Sequence, residues 1–173
     1  MAAQLRSVTL SANEIYTLAA KAARGAGAEP GQAEDFGRAA CYHFAARRPI
    51  EELLQALALC PRGPISQLPT RLMRIVEGGR DGIAGADLSL SDVSSLFLSY
   101  IDALPYHVAL HCSGDLCAVS IHLTQPNRAQ KPGRAAVPPH LKTRLNQLAE
   151  KTLVPETRVS REKGAGASLY DSD

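Results

Sequence analysis

The sequence predicts an α+β fold in which helices come first and a small antiparallel β-hairpin or sheet comes late. Apolar residues recur three or four apart through most of the first sixty residues, which is the spacing of amphipathic helices. Over residues 106–123, apolar and polar residues alternate, which is the spacing of strands. We therefore expect an N-terminal half of three to four helices, a central amphipathic helix, the hairpin, and a C-terminal helix with an extended tail.

The composition is that of a soluble globular protein. The chain has 173 residues, 45% of them hydrophobic, and a mean hydropathy of -0.10. This length and apolar content suit one domain with its own core. We expect residues 1–155 to form a single α+β domain and residues 156–173 to form a flexible or partner-docking tail, in which Gly164–Ala167 is a run of small residues.

Charge and hydropathy exclude several classes of function. The net charge is +2, and the basic residues are scattered except at Arg47-Arg48 and in the region 128–144. Because aromatic residues make up 5% of the chain and Trp is absent, we expect no nucleic-acid partner. The N-terminus lacks the apolar core of a signal peptide, and no run approaches the roughly 20 apolar residues of a membrane span. We therefore expect a cytoplasmic protein with no membrane partner.

The first helix carries the clearest start signal. Ser11 and Glu14 have the spacing of a capping box, in which each side chain bonds to the other residue's backbone N–H. Leu10 and Ile15 are placed as a hydrophobic staple around it. Either Gly25 or Gly27 would supply the left-handed residue that ends such a helix.

Two further helices are predicted before residue 61. Pro30 suits a first helical turn, and an apolar stripe indicates a helix from there to about Arg47. Small residues on this stripe allow close helix packing, and they are Ala33, Gly37 and Ala40. Pro49 opens a third helix, which Pro61 must stop.

The middle and late parts of the chain give weaker signals. Between residues 61 and 86, Arg71–Val76 fits either a short helix or a strand. Ser89–Asp92, or Ser91 alone, is positioned to cap the central helix, whose apolar stripe runs to Leu104. The proline-rich stretch from Pro126 to Pro139 is predicted to be an exposed connection, and a last helix is predicted from about Pro139 to Lys151.

The hairpin contains three of the five histidines and two of the four cysteines. A turn at Gly114-Asp115 makes one face apolar, although sliding the turn by one residue stays an alternative. The favoured register pairs Cys112 with Cys117, Leu110 with Val119, Val108 with Ile121, His107 with His122, Ala109 with Ser120 and His111 with Ala118.

The cysteines are expected to be thiols in a reducing compartment. Cys41 and Cys60 lie at apolar helical positions and should behave as small buried hydrophobes. Cys112 and Cys117 are opposed on neighbouring strands, within the range of a disulfide. We expect a reduced pair there, with the disulfide as the open alternative.

The histidines of the hairpin are the candidate site. His107 and His122 come together as candidate ligand contacts or as a general acid and base, and His111 extends the same face. Asp115 is a candidate carboxylate partner. No metal is expected, because two imidazoles are an incomplete zinc site and four strand residues, roughly 13 Å, separate His111 from His107.

Several segments resemble the bacterial domain-of-unknown-function family 3726. The resemblance is carried by Leu10–Ile15, Lys21–Gly27 and Gly31–Ala40 near the start of the chain, and by Gly164–Asp173 at its end. It implies a bacterial cytosolic protein. The family has no established activity, so the resemblance implies no catalytic residue and no cofactor.

These observations favour a small ligand-binding or accessory protein that acts as a homo-oligomer. Its expected recognition surface is the face of His107, His111 and His122 together with the tail, and its expected partners are a second copy and a small molecule. The alternative is a small enzyme in which His107 or His122 acts as general acid or base beside Asp115 or a tail carboxylate. A non-catalytic assembly subunit is the third possibility.

Overall fold

The computed structural model describes residues 7–152, and these form six α-helices and five β-strands. Helices dominate the first half and strands the second, so the predicted α+β class is confirmed. The helices are α1 (Ala12–Ala26), α2 (Pro30–Ala45), α3 (Glu51–Ala58), α4 (Pro64–Glu77), α5 (Ser95–Asp102) and α6 (Pro139–Glu150). The strands are β1 (Val8–Leu10), β2 (Ile83–Ser89), β3 (Tyr106–Ser113), β4 (Leu116–Pro126) and β5 (Ala135–Val137).

Helix α1 begins with the predicted capping box. The Ser11 hydroxyl accepts a hydrogen bond from the backbone N–H of Glu14 at 3.3 Å, and the Ser11 N–H donates to the Glu14 carboxylate at 2.7 Å. This exchange satisfies two of the donors that every helix start leaves unpaired. The helix ends at Gly27, whose φ of 106° is the left-handed conformation that favours glycine.

Gly25 has a different role from the cap that its position suggested. A Cβ atom added at Gly25 would lie 1.7 Å from the backbone oxygen of Leu148 on α6. Helices α1 and α6 therefore touch backbone to backbone, and only a residue without a side chain fits at this crossing.

Helix α2 packs closely on α1, as its small residues predicted. A Cβ atom at Gly37 would lie 2.8 Å from the backbone oxygen of Tyr16. The core extends from this helix pair through α3 to α6 and onto β2 and β4. Its largest fully buried apolar side chains are Phe36, Phe97, Ile65, Leu96, Ile121 and Leu141.

The undecided region folds as one helix and one strand. Arg71–Val76 lies within α4, so the helical alternative is confirmed. The strand β2 was not predicted. Strand β2 continues to Ser89, so helix α5 starts later than predicted. Its cap is Ser94, not Ser89–Asp92, and the Ser94 hydroxyl accepts a hydrogen bond from the N–H of Phe97 at 3.0 Å.

The hairpin forms in the favoured register. Strands β3 and β4 are antiparallel, and the predicted pairs are all present, including Cys112 with Cys117 and His107 with His122. Gly114 has a φ of 56° in the turn. Strand β2 pairs with the other side of β4, so the sheet order is β2-β4-β3 and β3 is an edge strand.

Cys112 and Cys117 are joined by a disulfide, with their Cα atoms 4.0 Å apart. The expectation of a reduced pair is therefore wrong, and the open alternative holds. The reason is geometric, since directly opposed residues of an antiparallel pair bring their Cβ atoms close enough to bridge. Cys41 is buried and free, as expected, and Cys60 is free and partly buried.

The proline-rich connection contains a strand that the sequence did not predict. Residues of β5 pair antiparallel with β1, and Val137 is buried opposite Val8. Helix α6 follows at once and buries Leu141, Leu145 and Leu148. Strand β5 and helix α6 thus bring a late part of the chain back to its first two elements.

The predicted tail, with Gly164–Ala167, lies outside the described residues, so its role and the boundary at residue 155 stay predictions. Among the helices of residues 7–152, none has both the length and the apolar character required to cross a bilayer.

Candidate functional site

The structure brings His107 and His122 together on the outer face of the sheet, which we call the histidine face. Their ring centroids lie 5.3 Å apart, with 29° between the ring planes, so the imidazoles are stacked. Both residues are half-buried. The pairing that the sequence predicted for these two side chains is thus present.

His111 and Asp115 do not join that pair. His111 is exposed opposite Ala118, four residues along β3 from His107, or roughly 13 Å. Asp115 lies beyond Ser113, which is roughly 20 Å along β3 from His107. An acid/base pair between Asp115 and either stacked imidazole is therefore excluded by distance.

The histidine face is open. Five pockets within residues 7–152 are lined by residues other than His107, His111 and His122. Residues 7–152 also contain no group of three or more His, Cys, Asp or Glu side chains arranged to hold a metal ion. The assignment of His107, His111 and His122 to ligand contact, and of His107 or His122 to catalysis, stays a prediction.

A buried polar cluster in the helical half was not predicted. His43 on α2 is fully buried, and its Nδ1 lies 2.8 Å from the hydroxyl of Ser99 on α5. That hydroxyl also accepts a hydrogen bond from Arg48 at 3.0 Å, and Arg48 pairs with the carboxylate of Asp102 at 2.6 Å. The cluster consists of His43, Ser99, Arg48 and Asp102, and it joins the end of α2 to α5.

The hydrogen bonds of His43 place a hydrogen on its Nε2 atom. Its Nε2 lies 2.7 Å from the backbone oxygen of Pro49, which can only accept, so Nε2 carries the hydrogen. Burial lowers the pKa of His43, which favours the neutral imidazole, and the Ser99 hydroxyl beside Nδ1 also donates to the backbone oxygen of Ser95 at 2.9 Å. The sequence contained a signal for this position, because His43 is seven residues from Phe36 and falls on the same apolar helical stripe.

A pocket of about 250 Å³ opens between α2, α4, α5 and the start of β3. We call it the apolar pocket, because most of its wall is hydrophobic. Its lining includes Leu72, Met73, Val76 and Leu104, with Tyr100 and Tyr106. At its edge, the Arg38 guanidinium donates to the Asp35 carboxylate at 2.6 Å.

Tyr100 is the unusual residue of this pocket. It is 4% exposed, and its hydroxyl is a buried polar atom without a hydrogen-bond partner among the described residues. Burial, and then the negative charge of Asp35, raise the pKa of Tyr100, so the hydroxyl stays protonated. A buried hydroxyl without a partner costs free energy.

A family model matches part of this chain. The model of the family described as "Protein of unknown function (DUF3726)" matches residues 10–93, which include α1 to α4 and β2. Neither the curated proteins nor the solved structures contain a match to this chain. The resemblance predicted from the sequence is therefore confirmed over residues 10–93, where the chain is similar to the DUF3726 family.

Proposed function

We propose that this protein binds a small molecule in the apolar pocket, and that the ligand has an apolar body and a carbonyl or carboxylate oxygen. The observation that carries the proposal is the Tyr100 hydroxyl, enclosed beside the pocket without a partner among residues 7–152. Ligand pockets combine apolar walls with a few polar groups that orient the ligand, and the apolar pocket has this composition.

The polar groups of the pocket favour a hydrogen-bond acceptor. The Tyr100 hydroxyl stays protonated and can donate. The bond to Asp35 raises the pKa of Arg38, whose guanidinium keeps further N–H groups after donating to that carboxylate. Both side chains therefore offer donors, and Oδ1 of the Asp35 carboxylate accepts from Arg38.

The volume of the pocket limits the size of the ligand. Cavities of about 150 Å³ lined by apolar side chains accommodate benzene. A pocket of about 250 Å³ therefore has room for one aromatic or branched aliphatic group with a short polar substituent.

The test compares toluene, benzamide and benzoate, which share a ring and differ in the polar substituent. Amide NMR shifts during titration should identify a site at α2, α4 and α5, with benzamide or benzoate bound more tightly than toluene. In Tyr100→Phe, benzamide affinity should fall about tenfold, the value of one hydrogen bond in a buried site, while toluene affinity stays the same.

Stability separates this role of Tyr100 from a structural one. Removing a buried hydroxyl that has no partner should leave the melting temperature unchanged or raise it. A Tyr100→Phe variant that melts lower, or that loses toluene and benzamide equally, would contradict the proposal. So would titrations in which none of the three probes shifts amides around the pocket.

Self-association, which the sequence analysis expected, is proposed at the edge strand β3. This strand has no neighbour beyond β4 among the described residues, so one row of its backbone groups is free to pair. Leu110 is 37% exposed on it. Antiparallel pairing with a second copy about Leu110 would place Val108 opposite Cys112 of the other chain and continue the apolar face across both sheets.

A further inference from the structure

Two basic segments that are far apart in the sequence fold against one surface. Arg47 and Arg48 follow the end of α2, while Lys131 and Arg134 belong to the proline-rich connection before β5. These four side chains line two adjoining pockets of about 380 and 440 Å³, which share Ala45 and Arg134 in their walls. We call the joined pockets the basic cleft.

The basic cleft has more positive than negative charge. Four cationic side chains line it, and Asp102 is the carboxylate in the same lining. Asp102 pairs with Arg48. Within residues 7–152, Arg47, Lys131 and Arg134 form no ion pair. Cations concentrated in a concave surface attract anions more strongly than the same charges spread over a convex one.

Arg48 is held in place before any ligand arrives. Its side chain is 17% exposed and bonds to both Asp102 and the Ser99 hydroxyl. Ser99 is fixed in turn by the neutral imidazole of His43. A guanidinium that is already ordered loses less conformational entropy when it binds an anion, so the buried polar cluster has a use in positioning this side chain.

Arg47 has an unfavourable backbone conformation. Its φ of 54° is left-handed, at the position just after a helix that glycine usually occupies. The helix end is closed by hydrogen bonds from the N–H of Arg47 to Phe44 and from the N–H of Arg48 to His43, each 3.0 Å. The strained conformation directs the chain so that two consecutive arginines reach the cleft.

From these observations we infer that the basic cleft is a second ligand site, which binds a small molecule carrying a phosphate group. Arginine forms paired, charge-assisted hydrogen bonds with phosphate oxygens, and Arg47, Arg48 and Arg134 supply three guanidinium groups to one of the two pockets. A small anion fits better than a nucleic acid, because the cations line a concavity and, of the two aromatic residues in the linings, Tyr42 and Phe44, the second is buried and offers no exposed stacking face.

The inference is tested by titrating the full chain with inorganic phosphate and with pyrophosphate, using calorimetry and amide NMR shifts. We expect saturable binding that weakens as KCl is raised. Arg134→Gln should lower the affinity for pyrophosphate about tenfold, since it removes charge-assisted hydrogen bonds. Arg62→Gln is the charge-matched control, because Arg62 is exposed and lies outside the cleft lining.

Arg47→Gly separates binding from folding. Glycine relieves the left-handed backbone at residue 47, so this variant should melt at the same temperature or higher. It also removes a cation from the cleft, so its affinity for pyrophosphate should fall about tenfold. If the variant is stable and binds pyrophosphate more weakly, the loss of affinity is due to the missing guanidinium.

Three results would overturn the inference. One is an Arg62→Gln variant that loses as much affinity as Arg134→Gln, which would indicate nonspecific attraction. Another is a single-stranded oligonucleotide that binds more tightly than pyrophosphate and displaces it. The third is the absence of saturable binding of both phosphate and pyrophosphate to the full chain.

Discussion

The helices and the hairpin hold their histidines in different environments. In the helical half, His43 is fully enclosed, and both ring nitrogens have partners at 2.7 and 2.8 Å. On the hairpin, His107 and His122 stack on each other at an open sheet face and are half-buried. The conspicuous histidines of the sequence are therefore the less constrained ones, while the inconspicuous His43 supports the wall of a cleft.

Backbone packing at the glycines is also closer in the helical half than at the hairpin turn. At Gly25 and Gly37 the helices approach so closely that a Cβ atom would meet backbone atoms of a neighbour. At Gly114 in the hairpin turn, a Cβ atom would have nothing within 4 Å. The helices are therefore in direct backbone contact at these glycines, whereas the hairpin turn has open space beside it.

The largest effect is expected from Gly25→Ala. The added methyl group overlaps the backbone oxygen of Leu148, so α1 and α6 must separate, and the free energy of unfolding should fall by about 3 kcal/mol or more. Gly114→Ala should cost about 1 kcal/mol, from its left-handed φ alone. Chemical denaturation of the variants measures both values.

Gly31→Ala is the matched control, because Gly31 lies in the first turn of α2 with nothing within 4 Å of an added Cβ. Alanine is the better helix former, so this variant should gain about 0.5 kcal/mol. Equal losses in Gly25→Ala and Gly114→Ala would remove the contrast in packing between helices and hairpin.

The second prediction concerns pH and His43. Burial lowers the pKa of His43 in the folded protein below its ordinary value of 6.5, so the unfolded chain binds the proton more tightly. The contribution of neutral His43 to stability is therefore complete above about pH 6.5 and is lost as pH falls from there towards the folded-state pKa. The free energy of unfolding should be lower at pH 5.5 than at pH 7.5.

A His43→Gln variant should be less stable than the unaltered protein at pH 7.5 but should show a smaller decrease towards pH 5.5. If that variant does not fold, NMR titration of the His43 ring in the unaltered protein gives the pKa directly. Titration of His43 at or above pH 6.5 would contradict the environment described for the buried polar cluster.

The smallest effect on stability is expected from Leu110→Lys on the edge of the sheet. An exposed edge position should tolerate the change within about 0.5 kcal/mol, while a lysine there blocks strand pairing with a second copy. Light scattering should show a dimer for the unaltered protein and a monomer for the variant.

Ile83→Lys on β2, the other edge of the sheet, is the control for that experiment. Ile83 is 52% exposed, and its substitution should leave the dimer intact. A monomeric unaltered protein, or a dimer that survives Leu110→Lys, would show that β3 is not the interface.

Local patterns were sufficient for α1 and for the hairpin. The capping box and the alternation around Gly114-Asp115 specify these elements through neighbouring residues, and both are present with the predicted bonds or register. Strand β2 was missed because its inner face consists of Ala84, Ala86 and Leu88, and small residues give little strand signal.

The pockets could not be predicted in this way. Asp35, Leu72, Tyr100 and Tyr106 come from four separate elements and meet only through the packing of α2, α4, α5 and β3. The basic segments were visible in the sequence, but nothing local showed that Arg48 and Arg134 share a cleft. A site made by tertiary contacts leaves no periodic pattern in the chain.

The backbone contact at Gly25 has a consequence for synthesis on the ribosome. Helix α1 is made before α6, and the helix that it touches is completed only after roughly 120 further residues, which takes on the order of ten seconds. During that interval the side of α1 that packs against α6 in the folded protein has no neighbour there. The contact at Gly25 therefore forms only after Leu148 has been synthesised.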